Sequence, residues 1–269
     1  MDFLTLKLLT ALSLFIMTVS AGWLPFFKRL STQSVIDFPS GEALSSGVFL
    51  GVGLLHMLPE ATAGFIDTGI EYPIAALLAG GMFLFLLWLE HLSRDYYQHQ
   101  TLDEHHAEET LQHHGHQCCS HGRSFAVLAF GMLSLHAFLE SAALGLSTDL
   151  SIIFMLAVAI LAHKWAESFA LAIQLVKSSL SSRVSMVYFL LFSFIAPLGI
   201  LLGGYAGEHI EHLPLLGPTF FSLAAGTFLY LGTLHGLSRA VMIQQCCNLK
   251  QYTFVIIGFL LMAAVAIWA

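Results

Sequence analysis

Long apolar runs separated by short polar intervals dominate the chain. Runs without charge clusters recur at roughly 6–24, 43–62, 72–92, 124–146, 151–176, 184–205, 215–238 and 252–269. Each is near the roughly 20 residues that an α-helix needs to cross a hydrocarbon core. The runs show no sustained polar–apolar alternation and carry interior Gly, Ala and Ser, which suits packed helices rather than a β-barrel. The pattern predicts an all-α integral membrane protein with eight transmembrane helices. Small residues at Gly47, Gly51 and Gly53, at Gly80 and Gly81, at Gly199, Gly203 and Gly204, and at Gly226 mark places where helices pack closely. Pro59 in the second run and Pro197 in the sixth predict kinked or broken helix.

Composition agrees with this reading: of 269 residues, 57% are hydrophobic and only 10% charged, outside the range of soluble globular domains. Charge placement tests the span count independently, because basic residues gather in short cytoplasmic loops. Lys28, Arg29, Arg94, Arg123, Lys177, Arg183, Arg239 and Lys250, eight of the ten basic residues, fall in alternate loops. The opposite loops hold Asp67, Glu71, Asp149, Glu208 and Glu211 without Lys or Arg. Both termini are therefore expected outside. A cleaved signal peptide competes for the first run, since Val19-Ser20-Ala21 resembles a cleavage site. The apolar run continues past it to Lys28-Arg29, which favours a retained span. Cys118-Cys119 and Cys246-Cys247 fall on the cytoplasmic side, where a disulfide framework is not expected and ordinary thiols outweigh soft metal contact.

One interval is long. Residues 95–123 hold seven histidines, His99, His105, His106, His113, His114, His116 and His121, together with Asp103, Glu104, Glu108 and Glu109. Such a tract offers many imidazoles to Zn²⁺ and similar ions without fixing one geometry, so a cytoplasmic loop that captures or senses metal is preferred over a solvated spacer.

The chemistry lies inside the apolar runs. His136-Ala-Phe-Leu-Glu140 and His163-Lys-Trp-Ala-Glu167 each put an imidazole and a carboxylate about one helical turn apart on one face. About four residues join the two runs, so the helices should be antiparallel neighbours. Ionisable groups at membrane depth are costly and point to function. His136, Glu140, His163 and Glu167 form a His₂Glu₂ set able to ligate Zn²⁺, Mn²⁺, Fe²⁺, Co²⁺ or Cd²⁺; the bland alternative is a pair of structural His–carboxylate hydrogen bonds. Lys164 would repel a dication. It is either deprotonated, tethered to Glu140 or Glu167 until metal displaces it, or turned away. His56 and Glu60 flank Pro59 and read as pathway residues, against a helix-end role for Glu60. His235 is an exit-ligand candidate, with a surface histidine nearly as good a reading.

Together these motifs resemble the ZIP family of zinc- and iron-regulated metal transporters over nearly the whole chain. The resemblance rests on the eight runs, the His-rich interval, Gly51-Val-Gly-Leu-Leu-His-Met-Leu-Pro-Glu60, the two His-x-x-x-Glu pairs, Ala196-Pro-Leu-Gly-Ile-Leu-Leu-Gly203 and Gly226-Thr-Phe-Leu-Tyr-Leu. It implies a single transmembrane domain over 1–269 and a primary transport site at His136, Glu140, His163 and Glu167. Family members with two metals carry a polar ligand after each first histidine. Ala137 and Lys164 stand there in this chain, which favours one metal ion, with Lys164 as a possible tethered cation. Ala196 replaces a glutamate common before the proline, Ser141 and Ser168 replace frequent glycines, and His235 stands where an acidic residue is common.

The expectation is uptake of a divalent transition metal, foremost Zn²⁺, with Fe²⁺, Mn²⁺ or Cd²⁺ as other substrates, into the cytoplasm by alternating access. Glu208, His209, Glu211 and His212 would gather the ion outside. The protein would be a multi-pass component of the cell membrane with the lipid bilayer as its partner. It would hold no permanently bound cofactor, contact no nucleic acid and be no enzyme, with a homodimer as an open assembly. The alternative is an intramembrane metal-dependent hydrolase, which would need an open coordination position and a separate general base; the chain has no His-Glu-x-x-His motif.

Overall fold

The computed structural model of the chain describes residues 3–31, 38–104, 123–209, 214–234 and 249–267. His105, His106, His113, His114, His116, His121, His235 and all four cysteines lie outside them, as do Glu211 and His212. Among the described residues the regular structure is helical: α1 Phe3–Ser31, α2 Pro39–Val52, α3 Leu58–Asp67, α4 Ile74–Glu104, α5 Arg123–Leu146, α6 Leu150–Lys177, α7 Ser182–His209, α8 Leu216–Tyr230 and α9 Leu249–Val265. A π-helical turn, Gly53–Met57, joins α2 to α3 so that Pro39–Asp67 runs as one rod.

Among the described residues, six rods are long and apolar enough to cross a membrane: Phe3–Phe27, Pro39–Asp67, Ile74–Ser93, Ala126–Leu146, Leu150–Lys177 and Ser182–Gly207. α8, 15 residues, and α9, 17 residues, are shorter. Their outward surfaces are apolar. Leu77, Leu84, Phe85 and Trp88 on α4, and Val187, Leu191, Phe194, Leu198 and Leu201 on α7, are exposed, while His136, Glu140, His163, Lys164 and Glu167 are buried. This inversion of the soluble pattern is what hydrocarbon solvent selects. Hydroxyls follow the same logic: Thr10, Thr18 and Ser46 donate to the carbonyls of Leu6, Leu14 and Glu42 one turn earlier, so their donors are satisfied inside their own helices.

Two sequence expectations change. The disturbance expected at Pro59 takes the form of the π turn directly upstream, where the Leu58 N–H reaches back to the Gly53 carbonyl. A proline has no N–H to give, and the wider turn lets the rod continue past it. The long interval does not begin at residue 95: α4 continues to Glu104. Residues 95–104 contain no Gly or Pro, so nothing local stops a helix that the membrane span has already nucleated.

Short-range chemistry sets the α5–α6 corner. Residues 147–149 link the helices, and the Asp149 carboxylate caps α6 by accepting from the Ser151 and Ile152 N–H groups at 2.7 and 3.1 Å. Yet α5 packs most extensively against α7, and α6 against α1. The α5–α7 seam is backbone on backbone: a Cβ on Gly199, Gly203, Gly145 or Gly207 would run into the main chain of the facing helix. Gly47, Gly51 and Gly258 interlock α2 with α9 in the same way.

Candidate metal centre

The two motifs meet. One ligand atom from each of His136, Glu140, His163 and Glu167 lies within 4.8 Å of the others, and all four side chains are buried. Two contacts cross between helices: His163 Nε2 to Glu140 Oε1, the shortest, is 2.9 Å and His136 Nε2 to Glu167 Oε1 is 3.5 Å. Within each helix, His163 Nε2 to Glu167 Oε1 is 3.4 Å and His136 Nε2 to Glu140 Oε2 is 3.8 Å. A tetrahedral ion bound at about 2.0–2.1 Å needs ligand edges of about 3.3–3.4 Å, inside this range.

The polar atoms at the centre of the cluster are deeply buried. His136 Nε2, His163 Nε2, both Glu140 oxygens and Glu167 Oε1 are buried without a hydrogen-bond partner. Leaving several such atoms unsatisfied in hydrocarbon is costly, and a dication would satisfy them at once. The residues present therefore fit a divalent transition metal.

Supporting contacts differ between the motifs. On α5, the far nitrogen of His136, Nδ1, lies 2.7 Å from Thr227 Oγ1 and 3.1 Å from the Ala224 carbonyl, both on α8. Phe228 stacks on the same imidazole with ring centroids 3.5 Å apart and meets His163 edge-on. On α6, Lys164 donates to Glu167 Oε2 at 2.6 Å and sits 5.0 Å from the centre of the Phe192 ring. Of the readings open for Lys164, the structure has the tether to Glu167, through the oxygen that does not face the two histidines. Ala137 is buried and offers no ligand. Ser141 and Ser168 give their hydroxyl protons to the carbonyls of Ala137 and Lys164, one turn back. Gly199 leaves the room that Ser141 occupies.

The remaining sequence candidates divide. His56 is buried in the π turn with Nε2 unpartnered, outside the four-residue cluster. Glu60, one turn on, is half-buried and also outside it. His209 is exposed, with Nδ1 2.9 Å from the Tyr205 carbonyl and its ring stacked on Tyr205. Sequence reasoning missed Thr227, the Ala224 carbonyl and Phe228, because nothing near them marks a contact with a histidine 91 positions away. It also missed Glu90, buried on α4, whose carboxylate accepts from the Tyr230 hydroxyl of α8. An acidic residue at the end of an apolar run was the available signal there.

A family model described as ZIP zinc transporter matches residues 4–266. Among curated proteins, the chain is 28% identical to the mouse protein named zinc transporter ZIP2, over 99% of each chain. It is 30% identical to its human namesake over 84% of each, and 27% identical to zebrafish zinc transporter ZIP1 over 98% of each.

Proposed function

Because the chain belongs to the ZIP zinc transporter family, a membrane family of metal-ion transporters, we propose a specific route for its ion: inward, to the cytoplasm, through the His136–Glu140–His163–Glu167 cluster. Zn²⁺ is the foremost substrate, and Fe²⁺, Mn²⁺ and Cd²⁺ are chemically admissible at the same ligands. The observation that carries this reading is the set of buried nitrogen and oxygen atoms that α5 and α6 bring together, one from each of the four residues within 4.8 Å of the others.

In this reading the chain is one transmembrane domain over 1–269, placed in the cell membrane with eight spans and both termini outside. α8, continued by the π-helical residues 231–234, and α9 supply the seventh and eighth spans. The ion sheds its water as Glu140 and Glu167 take over its charge and His136 and His163 complete the shell. His56 lies along the approach from the π turn, and His235 and the His-rich segment receive the ion inside. Lys164 stays on Glu167 Oε2 while Oε1 faces the ion, so one carboxylate serves both cations and a single metal ion binds. Relative motion of the helices that carry the ligands against their surroundings alternates access. Protons compete for the same four side chains, so acid weakens metal binding. A hydrolase reading gains nothing from the family match.

The test is uptake of Zn²⁺, Mn²⁺, Fe²⁺ and Cd²⁺ into proteoliposomes by the wild type, Glu140→Ala and His163→Ala. Each substitution is expected to reduce Zn²⁺ flux to background; wild-type flux in both would remove the cluster from the pathway.

A further inference from the structure

α8 supplies none of the four ligands, yet it reaches one of them. His136 Nδ1 faces two α8 oxygens at once, Thr227 Oγ1 at 2.7 Å and the Ala224 carbonyl at 3.1 Å. A carbonyl oxygen can only accept, so contact with Ala224 requires the ring proton on Nδ1. The Thr227 hydroxyl donates its own proton to the same carbonyl at 2.6 Å, which leaves its oxygen lone pairs facing the imidazole. Both contacts therefore specify one tautomer: Nδ1 protonated and donating, Nε2 bare.

Nε2 is the atom that faces Glu140 and Glu167, and it has no hydrogen-bond partner. We propose that Thr227 is a positioning residue for metal binding, whose hydroxyl, together with the Ala224 carbonyl, fixes the tautomer and ring orientation of His136 so that Nε2 points its lone pair into the metal cage. This rests on His136 being a ligand, as argued above. The physical reason is that an imidazole rotates freely about its side-chain bonds and exchanges its proton between nitrogens. A partner on the far nitrogen removes both freedoms before the ion arrives and makes the near nitrogen more basic. Phe228, stacked on the ring, restricts rotation but cannot choose a tautomer; a hydrogen-bond partner can, and an acceptor at Nδ1 selects the one with Nε2 bare. Two further features hold α8 in register for this task. Gly226 lets α8 lie against the Ala79 carbonyl of α4, and Tyr230, one turn beyond Thr227, donates to buried Glu90 of α4.

The proposal separates the hydroxyl of Thr227 from its bulk. Thr227→Val keeps the shape and removes the nearer acceptor, leaving the ring with the Ala224 carbonyl alone at 3.1 Å; Thr227→Ser keeps both acceptors and removes a methyl. Zn²⁺ uptake into proteoliposomes and equilibrium Zn²⁺ binding to the purified full chain are measured for both, beside His136→Ala. Thr227→Val is expected to raise the half-saturating Zn²⁺ concentration and the Kd about 10-fold or more, the scale for loss of a ligand's supporting partner, with a smaller change in maximal rate. Thr227→Ser should stay close to wild type. Should Thr227→Val melt early without Zn²⁺, the pair Thr227→Ser and Thr227→Ala carries the same contrast. Wild-type affinity in Thr227→Val, or equal losses in the Ser and hydroxyl-free variants, would overturn the assignment while leaving the metal cage standing. Wild-type uptake and binding in His136→Ala would instead remove the cage, and this role with it.

Discussion

The motifs at His136–Glu140 and His163–Glu167 share a spacing and a destination, but they are held in place by different means. The α6 pair is supported mostly by its own helix. Lys164, three residues before Glu167, takes one of its oxygens, and Ser168 bonds back to the Lys164 carbonyl. The α5 pair is supported from elsewhere in the chain: His136 is oriented by Thr227 and Ala224 of α8, and Glu140 sits on a helix seated against the glycines of α7. One half of the cage is therefore set by local sequence and the other by tertiary packing. The halves also differ in charge, since Glu167 is shared with an ammonium and Glu140 is not.

The largest expected effect tests that charge difference. Glu140→Gln removes one negative charge from the cage, whereas Glu167→Gln also leaves the Lys164 ammonium buried without its counter-charge, facing the incoming dication. Glu167→Gln should therefore abolish Zn²⁺ uptake and be the worse of the two. Adding Lys164→Met should restore part of the uptake to Glu167→Gln and none to Glu140→Gln, read as initial rates in proteoliposomes. Equal rescue of both would mean that Lys164 is not tied to one carboxylate.

Lys164→Met alone comes next. It leaves the Glu167 carboxylate buried and unpaired, and breaking a buried pair on one side costs about 3–5 kcal/mol. The apo protein should melt markedly earlier than wild type in detergent. Saturating Zn²⁺ should close most of that gap, because the ion supplies the missing positive charge. A melting temperature unchanged without metal would show that Glu167 is supported by something other than its own helix.

This difference in support also explains what could be read from sequence. The helical spacing of each motif, the short α5–α6 link and the unusual lysine are local features, so the four residues that cluster, and a lysine beside them, were legible. Six of the eight expected spans appear as long apolar rods for the same reason, since hydropathy is a local sum. Which helix packs on which is not local. The four-residue link makes α5 and α6 neighbours, as they are, but the small residues of α7 permit a closer approach, and α5 packs more extensively against α7. Thr227 and Glu90 were invisible as contacts because a hydroxyl or a carboxylate in an apolar run does not reveal its partner. The end of α4 at Glu104 was not legible, because polarity marks the exit from the membrane, which is a different event from the end of a helix.

Gly203→Val sharpens the tertiary half of the comparison. A side chain there has no room beside the Ala142 backbone, so α5 and α7 must part. Overpacking of this kind costs about 1–3 kcal/mol. The displacement carries Glu140 and His136 away from α6 and leaves the Lys164–Glu167 contact intact. Zn²⁺ affinity should fall along with the melting temperature. Placing the valine at Gly80, where a Cβ meets nothing within 4 Å, should change neither.

The smallest effect is expected where α6 does have a long-range polar tie. Lys177, at the last turn of α6, lies 2.7 Å from Glu42 of α2, and the two side chains keep 12% and 20% of their exposure. Pairs that retain contact with solvent contribute about 1 kcal/mol or less. The pair also lies ten residues beyond Glu167, nearly three turns along the helix. Glu42→Gln should therefore lower the melting temperature slightly and leave the half-saturating Zn²⁺ concentration unchanged, because the α6 ligands take their position from Lys164 and their own backbone. A loss of affinity approaching that of Glu167→Gln would mean that the α6 motif, like the α5 motif, is aimed from outside its own helix, and the asymmetry between the two halves of the cage would disappear.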